Sequence, residues 1–328
     1  MARVAILLSH YNGDKYVKEQ IDSILGQQIS NDISLSLFVR DDGSTNSDLS
    51  ILKYYEQQKQ LTLFAEKNVG VKLSFYKLME KIEGFDYYFF SDQDDVWLEN
   101  KVQSMVNRLQ KFENINQFPV GVFSDLLIAD KYAQSTGKLM KHSDFCLMSE
   151  NKNFARENIL KYYMVTGASF AFNEAARCSA VKMGSGIFKN TNMHDSTMAF
   201  MIVLSGTLLY LDKPLVLYRQ HENNVIGYHE QNSILKKIQT LQRVFDGKLC
   251  KLFDVYIISK KIENISDKRI QIINSIFTRS KFNSIYYSWK LKKDIFGPKK
   301  MVSWVLFLFF GIRSVNKYQS KLAEVKKL

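Results

Sequence analysis

The stretch Tyr87-Tyr88-Phe89-Phe90-Ser91-Asp92-Gln93-Asp94-Asp95 runs an apolar strand straight into an acidic cluster. Four consecutive aromatic residues suit a strand buried on both faces, as the inner strands of parallel sheets are. Alternate positions of an extended segment point the same way, so Asp92 and Asp94 present two carboxylates toward one point. Like charges gathered at a strand end are unfavourable unless water or a cation neutralises them. On the tetrapeptide alone two readings stay open. One is a solvated acidic turn leading into a helix; the other is a hard divalent ion, Mg2+ or Mn2+, held by one or two carboxylates together with substrate phosphates.

Upstream of this stretch, short β-type runs alternate with helical periodicity. Arg3 to Leu8 is a continuous apolar strand, and Val17, Ile21, Ile24 and Leu25 recur at helical spacing after Tyr16. Ile33, Leu35, Leu37 and Val39 alternate as a strand does, ending in the turn Asp41-Asp42-Gly43-Ser44. Leu61 to Phe64 reads as a further short strand, and Val71, Phe75, Leu78, Met79 and Ile82 form a helix face. Downstream, Val102, Met105, Val106, Leu109 and Phe112 mark a helix and Val120 to Phe123 a strand. This order specifies an α/β fold, a mostly parallel doubly wound sheet with helices on both faces. Ligands of such sheets sit beyond the carboxyl ends of the strands. Polar clusters follow the first, second and fourth strands, at Ser9 to Asn12, Asp41 to Ser44 and Asp92 to Asp95.

The second half is less regular. Val165 to Phe172, Leu208 to Leu211 and Pro214 to Tyr218 read as strands, and Asp195 to Leu204 as a helix. From Ser233 the pattern is wholly helical, through Leu235, Ile238, Leu241, Phe245, Leu249, Leu252 and Tyr256. Charge changes at the same place. Of 45 Lys+Arg and 33 Asp+Glu, residues 231–328 hold 21 and 6, a net of +15; residues 1–230 hold the remaining 24 and 27, a net of −3. The expected division is therefore an α/β domain over 1–230 and a basic, mainly helical region over 231–328.

With 46% hydrophobic and 24% charged residues, the 328-residue chain is neither disordered nor collagen-like. Cys146, Cys178 and Cys250 are far apart and form no zinc-type spacing, so a reducing, intracellular setting is expected. The apolar run near the N-terminus is shorter than the ~7 to 15 residues of a signal-peptide core, and no export is expected. Met301 to Ile312 is the most apolar run, flanked by Lys299-Lys300 and Arg313. It falls short of the ~20 residues that span a bilayer. A buried core helix and an interfacial segment attracted to anionic lipid are its competing readings. A basic surface also permits nucleic acid, but no nucleic-acid-binding motif is visible and none is expected as a partner.

Several further residues have both a structural and a chemical reading. Asp41-Asp42-Gly43-Ser44 is ordinary turn chemistry, yet a carboxylate at that strand end suits a pyrimidine N–H, and Tyr11 after the first strand suits stacking on the base. His194-Asp195 opens a helical pattern, as an N-cap does or as a general base for a hydroxyl acceptor does. In Tyr218-Arg219-Gln220-His221 a guanidinium fork suits a diphosphate, and the imidazole either ligates a metal or donates to phosphate. His10, His142 and His229 have no such context and read as ordinary surface or core histidines.

Taken in order, Ser9-His10-Tyr11-Asn12-Gly13, Asp41-Asp42-Gly43-Ser44, Lys67-Asn68-Val69-Gly70, Ser91 to Trp97, Thr166-Gly167-Ala168, His194-Asp195 and Tyr218 to His221 with Asn224 resemble glycosyltransferase family 2, and more narrowly its bacterial rhamnosyltransferase-like branch. The resemblance covers about residues 2–230. It implies a GT-A type fold, a nucleotide-sugar donor, a divalent metal (Mn2+ or Mg2+) and inversion at the anomeric carbon. By matching motif, it implies donor-nucleotide contacts at Ser9, Tyr11, Asp42, Asn68, Asp92 and Arg219, metal ligation by Asp94, Asp92 and His221, and Asp195 as the base. An acidic residue is more usual in the family where His194 stands. The absence of a Gln-x-x-Arg-Trp element implies addition of one or a few sugars rather than long-chain synthesis. The function so implied is transfer of L-rhamnose from dTDP-L-rhamnose to a lipid-linked cell-surface glycan precursor, by a peripheral protein on the cytoplasmic face of the membrane. Alternatives are a UDP-hexose donor, or a non-catalytic membrane-associated glycan-binding or scaffold protein. A nucleotidyltransferase fits less well, because Ser9 to Gly13 has a single glycine and no basic residue precedes Lys15.

Overall fold

A computed structural model describes residues 1–45, 49–112, 117–140, 160, 165–221, 234–263, 265, 267–278 and a few single positions between 286 and 321, with backbone alone for 234–246. His142, Cys146, Asn224, His229 and the Met301 to Ile312 run lie outside the described residues. In chain order the elements are β1 (Ala2–His10), α1 (Asp14–Leu25), β2 (Ile33–Asp41), α2 (Ser50–Gln57), β3 (Thr62–Ala65), α3 (Val71–Lys81), β4 (Tyr87–Ser91), β5 (Val96–Trp97), α4 (Lys101–Gln110), β6 (Val120–Ser124), β7 (Leu127–Ala129) and β8 (Ser135–Leu139). A 3-10 turn at Gly167–Ser169 leads into β9 (Phe170–Asn173), α5 (Glu174–Met183), α6 (Ser185–Asn190), α7 (His194–Ser205), β10 (Thr207–Leu211), β11 (Val216–Arg219), α8 (Ile234–Ser259) and α9 (Lys268–Thr278).

The fold is mixed α/β with a mostly parallel central sheet. Seven strands lie in the order β10-β6-β9-β4-β1-β2-β3. β1 pairs in parallel with β2 and β4, β2 with β3, and β6 with β10, whereas β9 runs against both of its neighbours. Along β1, Ala5 and Leu7 face one apolar cluster while Val4, Ile6 and Leu8 face another. Helices α1 and α4 cover the second face; α3, α5 and α7 cover the first. That double cover is why β1 reads as unbroken apolar sequence. A smaller sheet, β5-β11-β7-β8, adjoins this one. Residues 92–95 are the link from β4 in the large sheet to β5 in the small one, so the acidic cluster lies where the two sheets meet.

Two readings of the sequence need correction. Val165 to Phe172 is not one strand: the Ser169 N–H turns back to the Thr166 carbonyl (3.0 Å), and β9 begins only at Phe170. Nor do His194 and Asp195 cap a helix. Met193 occupies the cap position without a side-chain bond, and both residues lie in the first turn of α7.

The described residues of α8 pack against the sheet's helices. Leu252, Phe253, Tyr256 and Ile258 of α8 belong to the same apolar cluster as Phe75 of α3 and Phe200 of α7. Among the described residues no helix is long and apolar enough to cross a membrane. One polar group of α8 reaches the segment that leads into α7. Both carboxyl oxygens of Asp254 accept from the Asn192 N–H at 3.2 Å. Lys72, facing the same group, donates to the Thr191 carbonyl at 2.6 Å. Burial pushes the Asp254 carboxyl up to about 7, against the opposing pull of the Asn192 bond and of Lys72 and Lys321.

A carboxyl that keeps its proton to about pH 7 when folded, and releases it near 3.8 when unfolded, withdraws stability as pH rises between those values. Asp254→Asn removes that contribution. Thermal unfolding at about pH 5 and about pH 8 is expected to show the variant gaining on the parent protein at the higher pH; a difference that does not change with pH contradicts this.

Candidate active site

The acids reach their positions by strand geometry. β4 is buried throughout, and Ser91, its last residue, pairs in register with Leu8 of β1. The chain then turns out of the sheet and carries Asp92 to Asp95 toward β11. His221, just past β11, meets Asp94 with Nε2 2.8 Å from Oδ2. Arg219 donates from Nε to the Asp94 carbonyl (2.7 Å), from Nη1 to the Lys131 carbonyl (2.9 Å) and from Nη2 to Glu19. Tyr16 stacks on His221 at 4.8 Å and lies under the Arg219 guanidinium at 4.7 Å, which fixes both side chains.

The charge in this region is heavily one-sided. Asp92 is half-buried, and its desolvation, with the nearby charges of Asp94 and Asp195, pushes its carboxyl up to about 7. Asp95 is buried; Oδ1 accepts from the Arg219 N–H at 3.1 Å, and Oδ2 has no partner among the described residues. Its carboxyl is pushed well up by burial and by Asp94 and Asp92. Burial, and after it the charges of Asp95, Asp92, Asp94 and Asp195, raise the Tyr218 hydroxyl of β11 above the ordinary phenol range. Acids at 92, 94, 95 and 195 therefore converge on one place.

Besides Arg219, a lysine is buried among them: Lys101, at the start of α4. Its ammonium donates to the Ala168 carbonyl at 2.6 Å and sits 3.3 Å from the centre of the Trp97 ring. Burial holds it well below its usual pKa despite Asp95 and Asp92, so it offsets only part of the acid charge.

Asp195 is held by two backbone donors, Gly167 N–H at 2.8 Å and Ser196 N–H. The Gly167 turn thus aims the acid; a Cβ at 167 would lie 2.9 Å from His194 Nε2. His194 itself points into the apolar core, stacked on Phe75 at 3.9 Å, with both ring nitrogens unpartnered among the described residues. Desolvation lowers its pKa to about 3, so it stays neutral and serves as packing beneath Asp195.

A second group gathers at the carboxyl ends of β1 and β2. His10 is fully buried: the Gly13 N–H donates to its Nε2 (3.2 Å), which assigns the ring proton to Nδ1, 2.9 Å from Asp41 Oδ1. Burial would raise the Asp41 carboxyl, but bonds from Ser44 and His10 hold it below its usual value. His10 is thus a core histidine whose ring braces Asp41. Asp42 accepts from Arg40, from Val69 N–H and from Gly70 N–H (both 2.8 Å), so the carboxylate expected to face a pyrimidine is already engaged by three donors that shape the 67–70 loop. Ser9 bonds Ser74 (2.6 Å), which also accepts from Arg40. Asn68 Oδ1 accepts from Gly70 N–H (3.1 Å) in the same loop. Tyr11 stands 44% exposed at the rim, free to stack.

Asp92, Asp94 and His221 do not close into a ready three-ligand set; among the described residues no group of three His, Cys, Asp or Glu side chains does so. The donor chemistry still suits a hard divalent ion. Carboxylate oxygens and an imidazole lie beside an orphaned buried carboxyl oxygen, with acid charge in excess of the single buried lysine. One or two such ligands completed by diphosphate oxygens is the usual arrangement for Mg2+. Asp41, Gln93 and Asp95 lie inside the motifs quoted from the sequence, which assigns them no role of their own; Lys101 carries no sequence signal at all, being one lysine among many.

Residues 5–169 match the model of the family described as glycosyl transferase family 2. A dTDP-rhamnosyl transferase, RfbG of Shigella flexneri, is 26% identical over 227 residues, covering 67% of this chain and 73% of its own. An uncharacterized glycosyltransferase of Haemophilus influenzae is 26% identical over 242 residues, 72% of each chain. Among solved structures, S. aureus TarS 1-349 in complex with UDP superposes with a TM-score of 0.55 at 13% identity, covering 99% of this chain and 92% of that one, a likeness of fold. The family match spans half of the chain and includes the strand ends that carry Tyr11, Asp42, Asp92 and Asp94, and the protein belongs to glycosyl transferase family 2 as a glycosyltransferase.

Proposed function

We propose that the protein is an inverting, metal-dependent transferase that moves L-rhamnose from dTDP-L-rhamnose to a hydroxyl of a lipid-linked glycan precursor. The observation that carries this reading is the convergence of Asp195 with Asp92 and Asp94, a proton acceptor beside a diphosphate-type acid cluster. The name of the Shigella flexneri relative supports the donor. The S. aureus TarS complexes with UDP and UDP-GlcNAc favour the second reading, a UDP-hexose donor on the same site.

In the proposed reaction Tyr11 stacks on the donor base, and Asp42 keeps the 67–70 loop, with Asn68, in shape around the nucleoside. Arg219 lies at the diphosphate. Asp94, with His221 and Asp92, would hold a Mn2+ or Mg2+ ion, which when bound supplies positive charge to the departing diphosphate. Asp195 takes the acceptor hydroxyl's proton while the hydroxyl oxygen bonds to the anomeric carbon and the bond from that carbon to the diphosphate oxygen breaks. The Gly167 and Ser196 N–H groups hold Asp195 in one orientation for that step.

A thermal-shift series with Mn2+ tests these roles together. dTDP-rhamnose is expected to raise the midpoint of the parent protein and of Asp195→Asn, but not of Asp94→Asn. Asp195→Asn is further expected to lose transfer by about a hundredfold or more. Stabilisation by UDP-hexoses and not by dTDP-rhamnose would transfer the proposal to the second reading; equal loss of binding in both variants would contradict the roles.

The proposed site of action is the cytoplasmic membrane face, with the basic 231–328 region drawn to anionic lipid. Co-sedimentation with phosphatidylglycerol vesicles, weakening with salt, is expected. Equal partition to neutral phosphatidylcholine vesicles would remove the electrostatic part of this proposal.

A further inference from the structure

The two halves of the site, the base end around Tyr11 and the acid end at Asp92 to Asp94, come from different strands, and the Gln93 side chain bridges them. β1 and β4 pair in parallel, and their last register pair is Leu8 with Ser91. Beyond it the strands part, which leaves the Tyr11 peptide groups without a ladder partner. The Gln93 carboxamide fills the gap. Its Oε1 accepts from the Tyr11 N–H at 2.7 Å, and its Nε2 donates to the Tyr11 carbonyl at 3.1 Å. A primary amide offers the same donor and acceptor pair as a peptide group, so Gln93 ties Tyr11, three residues past the last register pair, to the exit of β4 through a side chain.

The clamp needs room, and Gly13 supplies it. A Cβ at position 13 would lie 2.2 Å from Gln93 Oε1 and 2.3 Å from its Cδ. The Tyr11 to Gly13 loop is also tied to the second strand end, through Asn12 N–H to Ser44 Oγ (2.9 Å), and to His10 through the Gly13 N–H. These ties hold the loop to β1 and β2. The Gln93 bonds hold it to the acids, because Gln93 is flanked in the chain by Asp92 and Asp94.

We infer that Gln93 is a positioning residue that sets the register between the Tyr11 platform and the Asp92/Asp94 carboxylates, by a two-bond clamp on the Tyr11 peptide groups that Gly13 makes sterically possible. This rests on the reading of Tyr11 as the surface on which a donor's pyrimidine stacks. A ligand that occupies both ends at once, a pyrimidine nucleoside diphosphate, depends on that register. A ligand that occupies the acid end alone, inorganic pyrophosphate, does not.

Titration calorimetry in one Mn2+ buffer, with dTDP, UDP and inorganic pyrophosphate as probes, separates these cases. Gln93→Ala removes the amide, and Gly13→Ala displaces it while leaving Gln93 in the chain. Each is expected to weaken binding of the pyrimidine nucleotide that the parent protein prefers by about tenfold. Each is expected to leave pyrophosphate binding within about twofold of the parent, which also reports that the variant is folded. The double variant is expected to be no weaker than the weaker single one, because both changes break the same contact. Equal losses for nucleotide and pyrophosphate, additive losses in the double variant, or no loss in either single variant would overturn the inference while the donor reading stands. A parent protein that binds neither dTDP nor UDP would overturn the donor reading, and the inference with it.

Discussion

Everything in the site follows from placing several carboxylates where two sheets meet and water is scarce. Asp92 and Asp95 repel Asp94 and each other, Asp195 adds to the same field, and burial weakens the solvation that would ordinarily relieve it. The fold offsets this only in part, with the Asp94–His221 contact, the Arg219 backbone and side-chain bonds, and a lysine whose own charge is suppressed. Acid charge held in this way, against its electrostatic preference, is a common sign of a functional site rather than of groups kept for stability.

The rest of the molecule acts to hold that arrangement rigid. Buried strands β1 and β4 fix the two chain exits, and Gln93 ties them together after their ladder ends. On the opposite flank, the Gly167 turn and the first turn of α7 fix Asp195, with His194 and Phe75 packed beneath. The C-terminal helices contribute to this support. Asp254 of α8 holds the Asn192 backbone two residues before His194, and Phe253 lies in the same apolar cluster as Phe75. The Asp195 flank and the described residues of α8 thus share one apolar cluster, although charge and periodicity change sharply along the chain at residue 231.

Much of this was legible in the sequence because its signals are local. The unbroken apolar β1, the alternating β2 and the aromatic β4 each announce both their strand and their polar exit, and the motifs at those exits were placed at the sheet's rim. Elements with no apolar periodicity were not legible. β8 is polar and wholly exposed, β5 is two residues long, and the Gly167–Ser169 turn hides inside an apolar run. Roles set by tertiary contact were equally hidden. Nothing near Asp42 says that Arg40 and the Val69 and Gly70 amides would claim its carboxylate, and nothing in the sequence marks Lys101 as the one buried lysine of the acid cluster or His10 as the partner of Asp41. Such roles depend on which distant backbone groups arrive, and spacing along the chain does not carry that information.

The most direct test of the central claim is a crystal structure with dTDP and Mn2+, with the metal located by anomalous scattering. The expected result is a Mn2+ peak against Asp94 and His221, the diphosphate beside Arg219, and Asp195 facing the diphosphate from across the site. Nucleotide bound away from the 92–95 link, or Asp195 screened from the diphosphate by protein, would contradict it.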